Sequence, residues 1–399
     1  MLPPLERIRT DLHRTTEALA DAVAHDGATA TPEWDEGTWR IAAAVAVAHG
    51  VAPLLADRSS WPSRRWQAFL SAQRDHVASR QGRIATLLSR LDALARERGL
   101  PMMALKGSAL HALGLYVAGE RPMADIDLLV RPGDVEAAAA LLRILGYEES
   151  FRQWKHGVFK PVGARPFAGF GEHRDTPVNI ELHTCIQERL PVRTVDVTAS
   201  VWPRDATPGM CPYPSLGALM THLLLHAAGN VCGRSLRLLH LHDIAQLARR
   251  MPEAEWSVLW HGKEAPWWAY SPLRRVERHW PGRVPRAVLD RLRRECPIGL
   301  RRAADRQTLV RVSCSDLWLQ RLPGIEWVRS PTDMATLLMQ RIRPSRESRQ
   351  ERADMVRTQV WLQGQAWVRQ GHLRRVMTAL TRPVPRMDTL YVVRGAWDA

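Results

Sequence analysis

Apolar residues recur at helical spacing in the first quarter of the chain. Residues 39–55 form a mostly apolar, alanine-rich stretch, and residues 77–98 place leucine and isoleucine side chains on one face of a helix. Gly99 and Pro101 follow at once and indicate where that helix ends. Residues 1–100 are therefore predicted to be a helical region.

The pattern changes after residue 100, where short apolar or alternating stretches predict strands. These predicted strands are residues 102–105, 125–130, 158–161 and 178–183. Helices are predicted at residues 109–116 and 134–145, the second with Asp134 as its N-cap and Gly146 as its stop. The connections vary too much for regular βαβ units, so residues 101–205 are predicted to be an α/β (α+β) core around a small mixed sheet.

From residue 206 onward the pattern is helical again, with strong periodicity at residues 216–231 and 236–250. The Trp- and Pro-rich stretch 256–285 predicts irregular connections or short helices. Eleven arginines and three acids lie in residues 341–386, which leaves two alternatives: an amphipathic basic helix, or a solvated face packed on the domain. We therefore divide this part into a helical domain, 206–345, and a basic helical tail, 346–399.

The composition is that of a folded protein, with 45% hydrophobic and 24% charged residues. The chain has 56 basic and 41 acidic residues, a net charge of +15, and nearly all of the basic residues are arginine. Arginine enrichment is also typical of GC-rich codon usage, so the charge by itself does not require an anionic partner. Five widely spaced cysteines, no long apolar stretch and no secretion signal predict a cytoplasmic protein without a membrane span.

Two carboxylates on one predicted strand are the first sign of chemistry. Asp125 and Asp127 are two residues apart, so both side chains lie on the same face of the strand. Carboxylates this close repel each other unless a cation lies between them, and Mg²⁺ prefers such oxygen ligands. Glu181 has the same alternation on the 178–183 strand. If the two strands are neighbours, three carboxylates converge, which is enough for two metal ions and displacement at phosphorus.

Candidate phosphate ligands precede these acids. Gly107 and Ser108 begin a predicted helix, where backbone N–H groups and a hydroxyl can meet an anion. Gly107 also lacks the side chain that would keep a phosphate away from the backbone. Lys106 and Arg121 are cations close to this position in sequence and are candidate ligands of the β- and γ-phosphates.

The order of these motifs resembles the nucleotidyltransferase superfamily of DNA polymerase beta type, in which Gly-[Gly/Ser] precedes Asp-x-Asp and a later acid. More narrowly, it is similar to an uncharacterised bacterial nucleotidyltransferase family with a Leu-Lys-Gly, Arg, Asp-Ile-Asp-Leu-Leu-Val and Gly-Tyr signature. The likeness extends over about residues 35–250. The matching positions are residues 105–107, Arg121, residues 125–130 and residues 146–147.

The resemblance implies a nucleotidyltransferase core flanked by N- and C-terminal helical regions. It implies that Asp125 and Asp127 bind Mg²⁺ (or Mn²⁺), that Gly107 and Ser108 bind the nucleotide phosphates, and that Glu181 is the third catalytic and metal-binding acid. The family usually has Asp where this chain has Glu181, which leaves Asp175 as an alternative.

The activity that the resemblance implies is transfer of a nucleoside monophosphate from an NTP, with ATP as the expected donor, to a hydroxyl, with release of pyrophosphate. A peptide or small-molecule acceptor is the first expectation. Transfer to tRNA is an alternative that the +15 charge fits. A non-catalytic nucleotide-binding or partner-docking protein is a third.

Histidines offer a rival metal site. His222, His226, His240 and His242 are close in sequence, but no Cys or carboxylate completes a familiar zinc spacing, so structural roles are favoured. His183 is expected to support Glu181 rather than to bind metal. Asp243 is expected to cap or pair within the helical domain, with contact to the acceptor as an alternative for Asp243 and His226.

Overall fold

The computed structural model of the chain describes residues 2–25, 29–58, 61–165, 167, 169–262 and 264–399. The strands are β1 (Pro101–Ala104), β2 (Asp125–Leu129), β3 (Tyr147–Arg152), β4 (His156–Pro161), β5 (Asn179–His183), β6 (Gln187–Leu190), β7 (Arg193–Asp196) and β8 (Gly209–Met210). The helices before and within the sheet are α1 (Leu5–Ala24), α2 (Glu36–Ala48), α3 (Ala52–Leu55), α4 (Arg64–Glu97), α5 (Gly107–Ala112), α6 (Val135–Ile144) and α7 (Thr198–Val201).

Ten further helices follow the sheet in the described part of the chain. They are α8 (Leu216–Gly233), α9 (Leu238–Arg250), α10 (Tyr270–His279), α11 (Arg286–Glu295), α12 (Ile298–Arg306), α13 (Pro331–Ile342), α14 (Arg346–Thr358), α15 (Ala366–Arg369), α16 (His372–Thr381) and α17 (Met387–Asp398). The predicted fold class is thus confirmed: a mixed sheet lies between helical N- and C-terminal regions. None of the helices in the described part of the chain combines the length and apolar character that crossing a bilayer requires.

The main sheet has six strands in the order β3-β4-β5-β2-β1-β8. The central pair, β2 and β5, is parallel, β1 is antiparallel to β2, and β8 is parallel to β1. Ile126, Leu128 and Ile180 point to one face and are fully buried in a core shared with α4 and α6. The opposite face of the same strands is therefore left to carry polar side chains.

A second and larger core joins the two ends of the chain. It contains side chains from α1 and α2, from the central helices α8 and α9, and from the last helix, α17. Val393 and Ala396 of α17 are buried in it. Arg40 of α2 donates a hydrogen bond to the backbone carbonyl of Trp397. The last helix thus packs on one of the first.

After residue 319 the C-terminal segment makes a long detour, anchored in the larger core by the buried Trp327, and then returns to its starting point. The Leu319 N–H donates to the Val384 carbonyl at 2.9 Å, and the Arg386 N–H donates to the Leu317 carbonyl at 2.8 Å. Trp318 faces Pro385 in this short antiparallel bridge. Residues 320–383 consequently form an excursion whose two ends are adjacent.

One predicted helix is shorter and shifted, two are longer, and one has the N-cap residue that was predicted. The helix expected at 109–116 is α5, which begins at Gly107 and ends at Ala112, and Gly114 follows with a φ of +62°. Asp134 occupies the N-cap position of α6, but its side chain makes no capping hydrogen bond there. The predicted helices 77–98 and 216–231 are real but longer, as α4 and α8.

The arginine-rich stretch 341–386 is not one amphipathic helix. It is divided among the end of α13, then α14, a short 3₁₀ turn, α15 and α16. Pro344 lies between α13 and α14, Gly364 has a φ of +73° before α15, and Gly371 caps α16. These residues interrupt the helical hydrogen bonds, which the arginine spacing alone does not reveal.

Candidate active site

The β2–β5 pair brings the predicted acids together. Asp127 lies directly opposite Glu181, and Asp125 lies opposite Asn179. Opposed residues of neighbouring strands point to the same face, so the three carboxylates converge on the face away from Ile126. Asp127 is buried and Glu181 is partly exposed. The juxtaposition inferred from strand alternation is therefore present in the structure.

Lys106 is placed against these acids by an unusual backbone conformation. Its φ of +45° lies in the region that favours glycine, and it turns the chain sharply from β1 into α5. The Lys106 N–H donates to the hydroxyl of Tyr213 at 3.3 Å. Its ammonium donates to Oδ1 of Asp127 at 2.8 Å. The ammonium group of Lys106 thus neutralises part of the negative charge of the acidic cluster.

The three carboxyl groups differ in their protonation. Burial and the neighbouring Asp127 and Glu181 raise the pKa of Asp125 to about 7. Burial would also raise the pKa of Asp127, but Lys106 and His183 lower it well below its usual range. For Glu181, burial raises the pKa, but His183, His156 and Lys106 together lower it below its usual value. The site therefore favours the ionised forms of Asp127 and Glu181 and disfavours ionisation of Asp125.

Two histidines contact the acids. His183 Nε2 donates to Asp127 Oδ1 at 3.0 Å and lies 3.5 Å from Glu181 Oε2. His156 Nε2 lies 3.5 Å from the other oxygen of Glu181, because β4 pairs His156 with His183. Burial lowers the pKa of His156 to about 4. His183 thus contacts both Asp127 and Glu181, and His156 contacts Glu181 from the neighbouring strand.

Arg121 is held by an acid from the helical region. Its Nε and Nη2 donate to the two oxygens of Asp243 at 2.8 and 2.7 Å. The Tyr116 hydroxyl donates to the same carboxylate at 2.7 Å. The expectation that Asp243 pairs within the helical domain is thus wrong, since its partners come from the segment between α5 and β2. This buried pair fixes α9 against the site.

Gly107 and Ser108 are neighbours in sequence but have different surroundings in the structure. A Cβ at residue 107 would lie 2.3 Å from Nη1 of Arg121, so only glycine leaves room for the guanidinium. The Ser108 hydroxyl is buried and has no hydrogen-bond partner among the described residues. Ser108 does not line the cavity described next, whereas Gly107 does.

A cavity of about 1250 Å³ opens over the acids. The predicted site residues that line it are Lys106, Gly107, Arg121, Asp125, Asp127 and Glu181. Asp175, the alternative third acid, is exposed beside His173 and does not line the cavity. The structure therefore brings together the predicted acids with Glu181, not Asp175, as the third.

Metal-binding groups are concentrated at this place. Both Lys106 and His183 bond to Oδ1 of Asp127, so its Oδ2 carries no hydrogen bond from the described residues. In the described part of the chain, a single group of three residues places metal-ligand atoms within 4.8 Å of one another, and it consists of His156, Glu181 and His183 rather than the three carboxylates. The histidines considered for zinc have protein partners instead: His222 bonds to Tyr213.

Sequence reasoning missed His156, Tyr213 and the partner of Arg121. Each acts through a contact between segments far apart in the chain: β4 with β5, the β8–α8 connection with Lys106, and α9 with Arg121. No local pattern reports such contacts. The one available signal for Asp243 was a buried acid on an apolar helix face, which requires a cationic partner.

The comparison with known families agrees with this geometry. No curated protein and no solved structure matches the chain. Residues 35–268, more than half of the chain, match the family described as "Uncharacterised nucleotidyltransferase". That range includes β1, α5, β2, β5 and α9, and so every residue of the acidic cluster and its supports. The chain therefore belongs to the uncharacterised nucleotidyltransferase family.

Proposed function

We propose that the protein transfers a nucleoside monophosphate from an NTP to a hydroxyl of a peptide or small-molecule acceptor and releases pyrophosphate. The observation that carries this proposal is the convergence of Asp125, Asp127 and Glu181 across the β2–β5 pair, beside Gly107 and within one cavity. Family membership supports nucleotidyl transfer as the class of reaction.

The donor set fits a hard divalent cation. Asp125, Asp127 and Glu181 would hold Mg²⁺ or Mn²⁺ through carboxylate oxygens, and Oδ2 of Asp127 is free of protein hydrogen bonds from the described residues. When bound, the metal supplies charge neutralisation to the phosphates and to the attacking oxygen. Lys106 offers a further positive charge at the same acid.

The chain's own residues have separate tasks in this proposal. Glu181 accepts the proton of the acceptor hydroxyl, whose oxygen forms a bond to the α-phosphorus while the bond to the β-phosphate oxygen breaks. His183 holds Glu181 and Asp127 in place. Arg121, which Asp243 keeps in position, presents a guanidinium beside Gly107 for the phosphates.

The first experiment measures transfer of a labelled nucleotide. Purified protein receives each NTP labelled at the α-phosphate, beginning with ATP, with Mg²⁺ or Mn²⁺ and with peptide, small-molecule and tRNA acceptor pools. We expect label in an acceptor, and a loss of at least about 100-fold in rate for Asp125→Asn. Asp175→Asn is the matched control, because it removes an exposed carboxylate outside the cavity.

The outcomes separate the alternatives. A parallel reaction uses NTP labelled at the γ-phosphate. If only this γ-label is transferred, the protein is a kinase and the proposal is overturned. Transfer to tRNA, with binding that weakens steeply as salt rises, would identify RNA as the acceptor. Nucleotide binding with no transfer to any pool would favour a non-catalytic role, and full activity in Asp125→Asn would reject the assigned acids.

A further inference from the structure

The cavity continues beyond the acids into the C-terminal excursion. We call the part lined by residues 318–392 the distal lobe. Its walls come from α13, α14, α16 and the connections between them. The whole cavity measures about 1250 Å³, which is more than the roughly 300–1,000 Å³ of a site for one small ligand. There is room for a second substrate beside the nucleotide.

The distal lobe exposes apolar side chains inside the cavity. Leu319, Leu322, Leu338 and Met355 line it, and between 37% and 46% of each residue remains accessible. Trp361 and Trp367 line the same lobe. Apolar surface left open within a concave wall is stabilised when an apolar ligand covers it. The lobe is thus suited to a molecule with an apolar body.

The same lobe carries arginine side chains that are not paired with an acid of the described residues. Arg341, Arg352 and Arg375 line it, and none of them forms an ion pair with a described residue. The Nε atoms of Arg341 and Arg375 are buried and lack hydrogen-bond partners among the described residues. Asp388, an acid of the lobe, is already paired with Arg386.

Uncompensated guanidinium groups in a partly apolar cavity favour an anionic ligand. Burial lowers the pKa of Arg341, and both burial and the nearby Arg375 lower the pKa of Arg352, as expected where cations lack counter-charges. A carboxylate or phosphate in the cavity would accept charge-assisted hydrogen bonds from the guanidinium groups that line it. The chemistry of the lobe therefore combines an apolar wall with an anion site.

We propose that the distal lobe is the acceptor site and that it takes an amphipathic molecule with an apolar body and a carboxylate or phosphate group. The anionic group binds at Arg341, Arg352 and Arg375, the body covers the apolar wall, and the hydroxyl extends toward Glu181. The role of this ligand as the acceptor rests on the proposed function. Its binding to the lobe can be measured without nucleotide transfer.

The test compares two fluorescent probes of the same shape and different charge. 1-Anilinonaphthalene-8-sulfonate carries an anion on an apolar body, and N-phenyl-1-naphthylamine lacks the sulfonate. We expect Arg341→Gln/Arg352→Gln to raise the Kd of the anionic probe about tenfold and to change that of the neutral probe less than about twofold. Decanoate should displace the anionic probe, and decylamine at the same concentration should not.

A matched variant controls for overall charge. Arg349→Gln/Arg374→Gln removes the same charge from exposed positions of α14 and α16 that do not line the cavity, and it should bind both probes like the wild type. The inference is overturned if the anionic probe does not saturate, if Arg341→Gln/Arg352→Gln binds it unchanged, or if the control pair weakens it equally.

A third variant keeps the two proposals apart. Asp125→Asn should bind the anionic probe like the wild type, because Asp125 lines the cavity from the sheet and is not a residue of the distal lobe. If the lobe binds as expected but no nucleotide is transferred, the proposed function fails and the binding site stands. If transfer occurs and the lobe does not bind, only the acceptor assignment fails.

Discussion

Arg121 occupies the space that a side chain at residue 107 would need. The guanidinium is fixed there by two hydrogen bonds to Asp243, so it cannot swing aside without breaking a buried ion pair. We therefore expect Gly107→Ala to lower the free energy of unfolding by about 1–3 kcal/mol. Chemical denaturation of both proteins measures this difference.

Gly133→Ala is the control for this prediction. A Cβ at residue 133 would meet no atom within 4 Å, and its φ is not positive. The substitution should not lower the free energy of unfolding and should raise it by up to about 1 kcal/mol, since it restricts the unfolded chain. Equal stability of the two alanine variants would show that Arg121 relaxes at no cost, against the prediction.

The positions of single site residues could be predicted from the sequence where the local geometry of a strand determines them. Asp125, Asp127 and Glu181 follow from the period of two in a strand, which a few neighbouring residues define. The φ of Lys106 did not follow, because a lysine in that conformation is held by tertiary contacts with Asp127 and Tyr213. The contacts of Glu181 with His156 and His183 also could not be predicted, because they depend on the pairing of β4 with β5.

His49 joins three elements at the end of α2. Its Nδ1 accepts the N–H of Leu238, the first residue of α9, at 2.8 Å, so the ring proton is on Nε2, 2.7 Å from the Ser315 hydroxyl. A second proton would face the Leu238 N–H. Burial lowers the pKa of His49 to about 3. The histidine is therefore neutral in the folded protein.

This contact predicts a pH dependence of stability. Because the folded pKa lies below the unfolded value of about 6.5, the contribution of His49 is complete above pH 6.5 and is lost as the pH falls toward 3. From pH 7 to pH 5 the loss is about 2 kcal/mol. In His49→Asn, which lacks the titrating group, the free energy of unfolding should fall by correspondingly less over this interval.

Denaturant unfolding at a series of pH values provides the measurement. Other buried histidines contribute to the wild-type curve, so the difference between the two proteins isolates His49. Parallel curves for wild type and variant between pH 7 and pH 5 would contradict the assignment.

The helices and strands were predicted best where their stabilisation is local. The helix α8 begins where it was predicted, directly after its N-cap Ser215, whereas the first turns of α4 after Ser63 lie outside the predicted range 77–98. The strands β3, β6 and β7 were missed, since their residues are largely polar or partly exposed and pairing with a neighbour defines them. The breaks in the arginine-rich stretch were missed because its charge pattern continues across Pro344 and Gly364.

Packing differs greatly between parts of the molecule. Most residues of α8 are buried, whereas α13 has no buried residue, and α14 and α16 bury only Asp354 and Ala379. Few buried contacts mean that the helices of the excursion open locally at lower cost than the core. We expect backbone amides of α13, α14 and α16 to exchange hydrogen at least about 100-fold faster than those of α8.

Hydrogen-exchange mass spectrometry of the whole chain tests this expectation, with α9 as a second internal reference. Saturating decanoate should slow exchange in the excursion and leave α8 unchanged, because the ligand covers the apolar wall of the distal lobe. Uniform protection across α8, α13 and α16 would show that the excursion unfolds together with the core.

The chain enters and leaves the excursion at neighbouring residues, where Leu319 bonds to Val384 and Leu317 to Arg386. A detour that starts and finishes at one point can change in length beyond its buried anchor, Trp327, and closing a longer loop costs little entropy. The excursion also lies outside the matched range, residues 35–268. If the distal lobe binds the acceptor as proposed, the choice of acceptor would thus reside in a cassette of sequence separate from the one that carries the acids.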